Sequence, residues 1–517
     1  MRSCCVGIGG CGGNLLMVFL NSMDVDVIKI LSKLTNAEHV AFGGIEGVWL
    51  EADVNAAVNK QRFFKKNVYP GYVIPHDSIE VNSNTHSLVK RKYGYDIKKQ
   101  GFFREAQYLK AIFEIFDNDD EVRSVAREEV GEDNPILENA WDAIKGFTTL
   151  SGGRCDNILF IVSLGGGTGT GFINPILRYI RSGGIQDYPV FVLGVLTEQG
   201  DEADKEQQSK EARRDLGATI SMYDLLTKSA KEGVDALILA DNQILVEKFN
   251  QNYANINNYI FQVMKPFLAD RAFPQEDPPS LALAQNFTEG LNRPPVMVPC
   301  YASLNSKKFG DLEGELVSKA LTGSVQEDGC GPLFPCDPAM ADRAFVFSRG
   351  YLSAERLESS VKSITGLDTN HIFTWRKLGE NRGSEVLILL RNPYGSGCGG
   401  PFEKRMYRVI SLALKYIEEN RRELLHIEQS DDQSLTSLTT EALSRYFDRL
   451  VKELEAAKSR LRRGEKPFFI NELRIFEKST NNMNQQDNNI QNNLDLSEET
   501  IRRIVRDELR KLLPAAA

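Results

Sequence analysis

The heptad Gly165-Gly166-Gly167-Thr168-Gly169-Thr170-Gly171 constrains this chain more than any other stretch. It follows residues 157–164 (NILFIVSL), which read as a buried strand, and it precedes a stretch that predicts a helix starting near Phe172. A strand that runs into glycines and then into a helix is suited to gripping phosphate. Glycine lets the backbone come close and tolerates positive φ. The N–H groups of such a turn, with a helix N-terminus behind them, form an anion site. Thr168 and Thr170 add hydroxyls that can donate, or hold a metal through water. A flexible linker is a poor alternative, because five glycines and two threonines between a buried strand and a helix are not linker composition. Nor is this a Walker loop, which needs a Gly-Lys-Ser/Thr ending, or a kinase glycine loop, which lies between two strands.

A similar unit opens the chain. Residues 3–8 (SCCVGI) read as a strand, 9–14 (GGCGGN) as a glycine loop, and Leu15 to Leu20 as the start of a helix. Gly7, Gly9 and Gly12 satisfy the dinucleotide fingerprint. That reading asks for an acid about 20 residues further on, closing the second strand. The next strand, 47–50 (GVWL), reaches Glu51 and Asp53 only well beyond that point. A dehydrogenase would also have no use for a second phosphate loop.

Both loops are needed in the tubulin/FtsZ superfamily of polymerising GTPases, which this sequence resembles, in places most closely its archaeal CetZ branch. The heptad is the superfamily's hallmark. The opening loop, ending in Gly-Asn with a cysteine inside, is similar to the family's first loop. The resemblance implies that Gly9, Gly10, Cys11, Gly12, Gly13 and Asn14, with Gly165, Gly166, Gly167, Thr168, Gly169, Thr170 and Gly171, bind the nucleotide's phosphates. It implies that Glu51 and Asp53 approach Mg²⁺ and the phosphates. The basic stretch 90–102 lies where the family senses the γ-phosphate, but its glycines are sparse and no residue is carried over from it. Strand 190–196 (VFVLGVL) leads to Asp201-Glu202, and the resemblance places Glu202 at the ribose hydroxyls, where a carboxylate accepts two hydrogen bonds. Strand 234–240 (VDALILA) leads to Asp241-Asn242, and Tyr253 opens the predicted core helix with Asn257 four residues later, on the same face. By resemblance Tyr253 stacks on guanine, and Asn242 and Asn257 bond its edge. An amide can donate and accept together, as guanine's donors and acceptor require. In the segment 281–291 (LALAQNFTEGL), Glu289 is the best match to the acid that completes a neighbouring subunit's site, with Asn286 where a second acid is common. Asparagine cannot serve as a base, so activation of water would rest on Glu289.

The implied fold is α/β: a Rossmann-like GTPase domain with a parallel sheet (1–250), a central core helix (251–268) and a second α/β activation domain (269–400) with the catalytic loop at its start. Helices (401–465) and a disordered Asn/Gln-rich linker (466–496) form a C-terminal extension, ending in an amphipathic helix (497–513). That last helix carries one apolar stripe and four acidic against five basic residues, a balance that favours a protein adaptor or self-pairing over a membrane. The expected cofactors are GTP/GDP and Mg²⁺, and the expected main partner is a second copy of the chain, head to tail. An alternative is a poorly polymerising GTP-binding scaffold that recruits a partner through its terminal helix.

Composition narrows the remaining classes. A net charge of −9 with no broad basic stripe argues against direct nucleic-acid binding. The eight cysteines and five histidines are scattered, so no metal cluster or disulfide framework is expected, as suits a reducing cytoplasm. No signal peptide is read at the start, and no apolar run of about 18 residues is present to span a membrane.

Overall fold

The structure is a computed structural model that describes residues 3–20, 45–50, 135–153, 155–182, 185, 188–198, 205–227, 233–268, 280–304, 311–377, 383–395, 399–424 and 433–463. The chain divides into two units, Met1–Phe468 and Phe469–Ala517, and all described residues belong to the first. Glu51, Asp53, Glu202, the 90–102 stretch, the Asn/Gln-rich linker and the terminal amphipathic helix lie outside the described residues.

The strands are β1 (Ser3–Ile8), β2 (Ile45–Leu50), β3 (Asn157–Ser163), β4 (Val190–Leu196), β5 (Ala236–Asp241), β6 (Val296–Leu304), the two-residue β7 (Gly331–Pro332), β8 (Arg343–Arg349), β9 (Ile372–Lys377) and β10 (Ser384–Arg391). They form one sheet in the order β2-β1-β3-β4-β5-β6-β10-β8-β9, with β7 paired to β6. Every pairing from β2 to β6 is parallel. Strand β10 then runs antiparallel to both β6 and β8, and β9 is parallel to β8. All residues of β1, β4 and β5 are buried, as expected of a parallel sheet covered on both faces.

The helices used below are α1 (9–20), α2 (Pro135–Lys145), α3 (Gly167–Ser182), α4 (Lys205–Thr227), α5 (Asn242–Phe249), α6 (Tyr253–Met264), α7 (Ser280–Thr288), α8 (Leu312–Thr322), α9 (Ala354–Thr365), α10 (Pro401–Glu419) and α11 (Gln433–Arg463). One face of the sheet, including Leu159, Ile161, Phe191, Leu193, Ile238 and Leu389, packs against α1 through Leu15 and Phe19 and against α6 through Ile260, Val263 and Met264. Phe287 of α7 extends this cluster to β8, where its ring meets Phe345 edge-on at 4.6 Å between centroids. A side chain on one strand face every second residue is the period that lets a single apolar cluster run under both halves of the sheet.

Three helix boundaries differ from the sequence expectation, each for a local reason. Helices α1 and α3 begin at residue 9 and at Gly167, inside the glycine stretches and not after them. Glycine is a weak helix former, but here the first turn of each helix is where close approach is needed. Helix α6 stops at Met264 and not at Leu268. Pro266 lacks the N–H that would continue the helix, although Lys265 before it still has helical backbone.

Candidate nucleotide site

The parallel strands end together at Ile8, Ser163, Leu196 and Asp241, and the crevice outside such carboxyl ends is where open α/β sheets bind ligands. A cavity of about 440 Å³ lies there, in the range of small-molecule sites. Its wall brings together ten of the residues singled out above: Gly9, Gly10, Cys11 and Asn14; Gly165, Gly166 and Gly169; and Asn242, Tyr253 and Asn257.

One side of the cavity suits an anion. Helices α1 and α3 both start against it, and the first N–H groups of a helix have no partner within the helix. Gly9 sits at φ +70°, in the left-handed region open to glycine, and its carbonyl accepts from the Trp49 indole N–H at 3.2 Å. The other glycines divide by task. At Gly12 an added Cβ would lie 2.2 Å from the Ile161 carbonyl oxygen, and at Gly13 one would lie 2.2 Å from the Trp49 indole nitrogen. These two do not line the cavity; they let α1 lie close on β3 and beside Trp49. Gly167, Thr168, Thr170 and Gly171 are among the first five residues of α3.

The opposite side is built for hydrogen bonding and stacking. Tyr253 opens α6 with its ring half exposed, and Asn257 follows one turn later. Asn242 opens α5, which is capped by the Asp241 carboxylate accepting from the Gln243 N–H at 3.1 Å. Asp241 is itself held from below. Arg405 of α10 forks onto it, Nε to Oδ2 at 2.6 Å and Nη2 to Oδ1 at 2.9 Å, and donates to the Thr197 carbonyl at 2.9 Å. Both partners are buried, and Asp215 of α4 adds a second negative charge near the guanidinium. A helix far along the chain therefore fixes the strand end from which Asn242 projects.

Two charged cavity residues, Glu198 and Arg214, were missed by sequence reading. Glu198, two residues past β4, accepts from Asn242 Nδ2 at 2.5 Å and from the Tyr253 hydroxyl at 2.7 Å. Burial and then this hydrogen bond push the Tyr253 pKa up to about 12. Arg214 of α4 lines the same wall and lies against Gly165, where an added Cβ would stand 3.1 Å from its Cβ. The available signal was position, since Thr197-Glu198 immediately follows a parallel strand.

Glu289 and Asn286 are elsewhere. Asn286 is partly buried on α7; Glu289 lies one residue past the helix, which Gly290 terminates at φ +74°. Glu289 is thus in a turn and not on the helix face. Its exposed carboxylate pairs with Arg343, whose hydrogen bond and charge hold it below the ordinary carboxylate range. Arg391 donates to the carbonyls of Phe287 and Glu289 at 3.0 and 2.8 Å, and is fixed by Asp342 at 2.6 Å. Arg391 pairs with Met297 in register, and Met297 pairs with Ile238 near the start of β5. Glu289 therefore sits at the edge where the strands begin, across the sheet from the cavity. Strands of six or seven residues put these edges ~20 Å apart.

Among the described residues no three or more His, Cys, Asp or Glu gather as metal ligands, and no helix is long and apolar enough to cross a membrane. The two glycine-fronted helices, with the amide and aromatic groups facing them, fit a molecule that is anionic at one end and a base at the other.

Fold and site together define an α/β protein with a Rossmann-like parallel sheet and a crevice at its carboxyl edge. No model of a known protein family matches the sequence, and no curated protein matches it. Solved structures do. CetZ from Methanosaeta thermophila is 14% identical with a TM-score of 0.51, over 88% of this chain and 98% of that one. CetZ2 from Haloferax volcanii, as a GTPγS-bound protofilament, is 18% identical with a TM-score of 0.50, over 81% of this chain and 100% of that one. The chain has the fold of these CetZ structures, the tubulin/FtsZ fold.

Proposed function

We propose that this chain is a CetZ-like cytoskeletal GTPase: it binds a guanine nucleotide in the cavity, assembles head to tail, and hydrolyses GTP where two subunits meet. The observation that carries this reading is the separation of the two half-sites. The cavity holds Gly9, Gly165, Asn242, Tyr253 and Asn257 at one edge of the sheet, while Glu289 lies at the other. A carboxylate there cannot serve its own subunit's cavity but suits the next subunit's. Such a contact is heterologous and does not close, the geometry of filaments. The CetZ2 match is a GTPγS-bound protofilament, which supports a nucleotide and self-association for this chain too.

In this reading the N–H groups that open α1 and α3 hold the phosphates, and Arg214 adds positive charge. Asn242 and Asn257 meet the base edge, with Tyr253 against its face. Mg²⁺ would neutralise phosphate charge, with Glu51, Asp53 and the Thr168 and Thr170 hydroxyls as candidate ligands directly or through water, and Glu202 would meet the ribose. Glu289 orients the attacking water and takes its proton, so chemistry waits on assembly. The test is the nucleotide released when purified protein is denatured. GDP or GTP is expected; an adenine nucleotide or NAD would contradict the assignment.

A scaffold that binds GTP, assembles poorly and recruits a protein adaptor through its terminal helix is a second reading. Asn286, which cannot act as a base, and the pairing of Glu289 with Arg343 favour it. Pelleting with GTP separates the two: a filament former sediments and a scaffold stays in the supernatant.

A further inference from the structure

We infer that Glu198 is a specificity-determining positioning residue, which fixes the hydrogen-bonding sense of Asn242 so that the cavity accepts a guanine edge and rejects an adenine edge. The inference rests on the guanine-nucleotide reading above and names a residue that reading does not use.

Glu198 stands between two elements that both face the ligand. Its Oε2 accepts from Asn242 Nδ2 at 2.5 Å, at the start of α5. Its Oε1 accepts from the Tyr253 hydroxyl at 2.7 Å, at the start of α6. All three residues line the cavity. The oxygen and nitrogen of an asparagine amide are hard to tell apart by shape, and the hydrogen-bond network must assign them. Here chemistry assigns them, because an ionised carboxylate only accepts. The atom of Asn242 against Glu198 must be the NH₂ group, and the opposite sense would set an amide oxygen against a carboxylate oxygen. Asn242 Oδ1 is thereby kept as an acceptor for the ligand.

Guanine presents adjacent N1–H and N2–H₂ donors, which a fixed acceptor suits. Adenine presents a bare N1 lone pair there, which a fixed acceptor repels. Tyr253 is tied by the same carboxylate. The residue is 49% exposed, and the hydroxyl contact tethers its ring at the cavity wall. The hydroxyl keeps its proton at neutral pH, with a pKa pushed up to about 12, so it remains a donor to Glu198.

Glu198→Gln tests the inference because it is isosteric. Glutamine can still contact Asn242 and Tyr253, but its amide can donate as well as accept, so Asn242 is free to turn over. Nucleotide-stripped full-length protein is titrated with GDP and with ADP in the presence of Mg²⁺, and melting temperatures are measured alongside. Wild type should prefer GDP, and Glu198→Gln should shrink the GDP/ADP affinity ratio by about tenfold or more, the scale of one hydrogen bond to a charged group. Melting should shift little. Tyr253→Phe gives a second arm: it removes the ring's tether but leaves the Asn242 contact, so both nucleotides should weaken while their ratio holds. A wild type without preference for GDP overturns the guanine reading itself. A preference that Glu198→Gln leaves intact, or that Tyr253→Phe abolishes, overturns the role given to Glu198 alone.

Discussion

At the scale of single residues, Glu289 carries the sharpest chemical consequence. Its carboxyl is held below the ordinary carboxylate range, first because Arg343 hydrogen-bonds to it and then because the guanidinium adds attractive charge. A depressed pKa stabilises the fold above the unfolded value and is lost as pH falls through the folded one. That contribution is small, since the carboxylate is exposed. The larger consequence is for turnover. If Glu289 acts ionised, hydrolysis should persist to lower pH than an ordinary carboxylate allows and decline only as pH falls through the lowered pKa. Arg343→Met removes the two largest causes of the shift and leaves the smaller attractions of Arg391 and His371, so its acid limb should move to higher pH. A pH–rate profile of the two proteins checks this, and coincident acid limbs would remove Glu289 from the chemistry. Gly12 makes a different kind of prediction. A methyl group there would meet the Ile161 carbonyl oxygen at 2.2 Å, and backbone cannot swing aside as a side chain can. Gly12→Ala should cost about 3 kcal/mol, the upper end of the overpacking range, read as a fall in the denaturation midpoint. At Gly152, by contrast, an added Cβ meets nothing within 4 Å, though φ there is +78°.

At the scale of elements, the pairing of α10 with the end of β5 is the testable unit. Arg405 and Asp241 are both buried, so removing one leaves an uncompensated charge. Arg405→Ala should cost about 3–5 kcal/mol in denaturant unfolding. It should also weaken nucleotide binding, because Asp241 positions Asn242. Arg405→Met with Asp241→Asn removes both charges but keeps a cap on α5, and should recover most of the stability. How legible these features were follows from their range. Strands β1 and β4 were readable to the residue because a buried parallel strand is an uninterrupted apolar run. The cavity's glycines were legible from the strand-glycine-helix pattern, whereas Asn242 and Asn257 were singled out by the family resemblance; the fold brings all of them to one wall. The starts of α1 and α3 were not, because glycine's low helix propensity masks a helix whose first turn needs no side chains. Nor was Glu198: its partners lie on α5 and α6, more than forty residues away, and only the parallel register of β4 with β5 brings them to one wall. Arg405 was hidden for the same reason, as an ordinary charge on an amphipathic helix.

At the scale of the whole molecule, the account depends on a subunit whose two functional edges face opposite ways. Both edges belong to the unit Met1–Phe468. Removing residues 479–517 should leave GTP binding and assembly nearly intact while abolishing localisation or bundling; loss of nucleotide binding in the truncated protein would assign that segment to the fold. The central claim, that Glu289 of one copy completes the cavity of the next, is tested most directly by the steady-state GTP hydrolysis rate across a dilution series of the purified protein, with Glu289→Ala run in parallel. The account predicts a rate that climbs more steeply than protein concentration, and a variant that binds GTP normally yet hydrolyses it far more slowly at every concentration. A rate strictly proportional to concentration, with the variant unaffected, would contradict it.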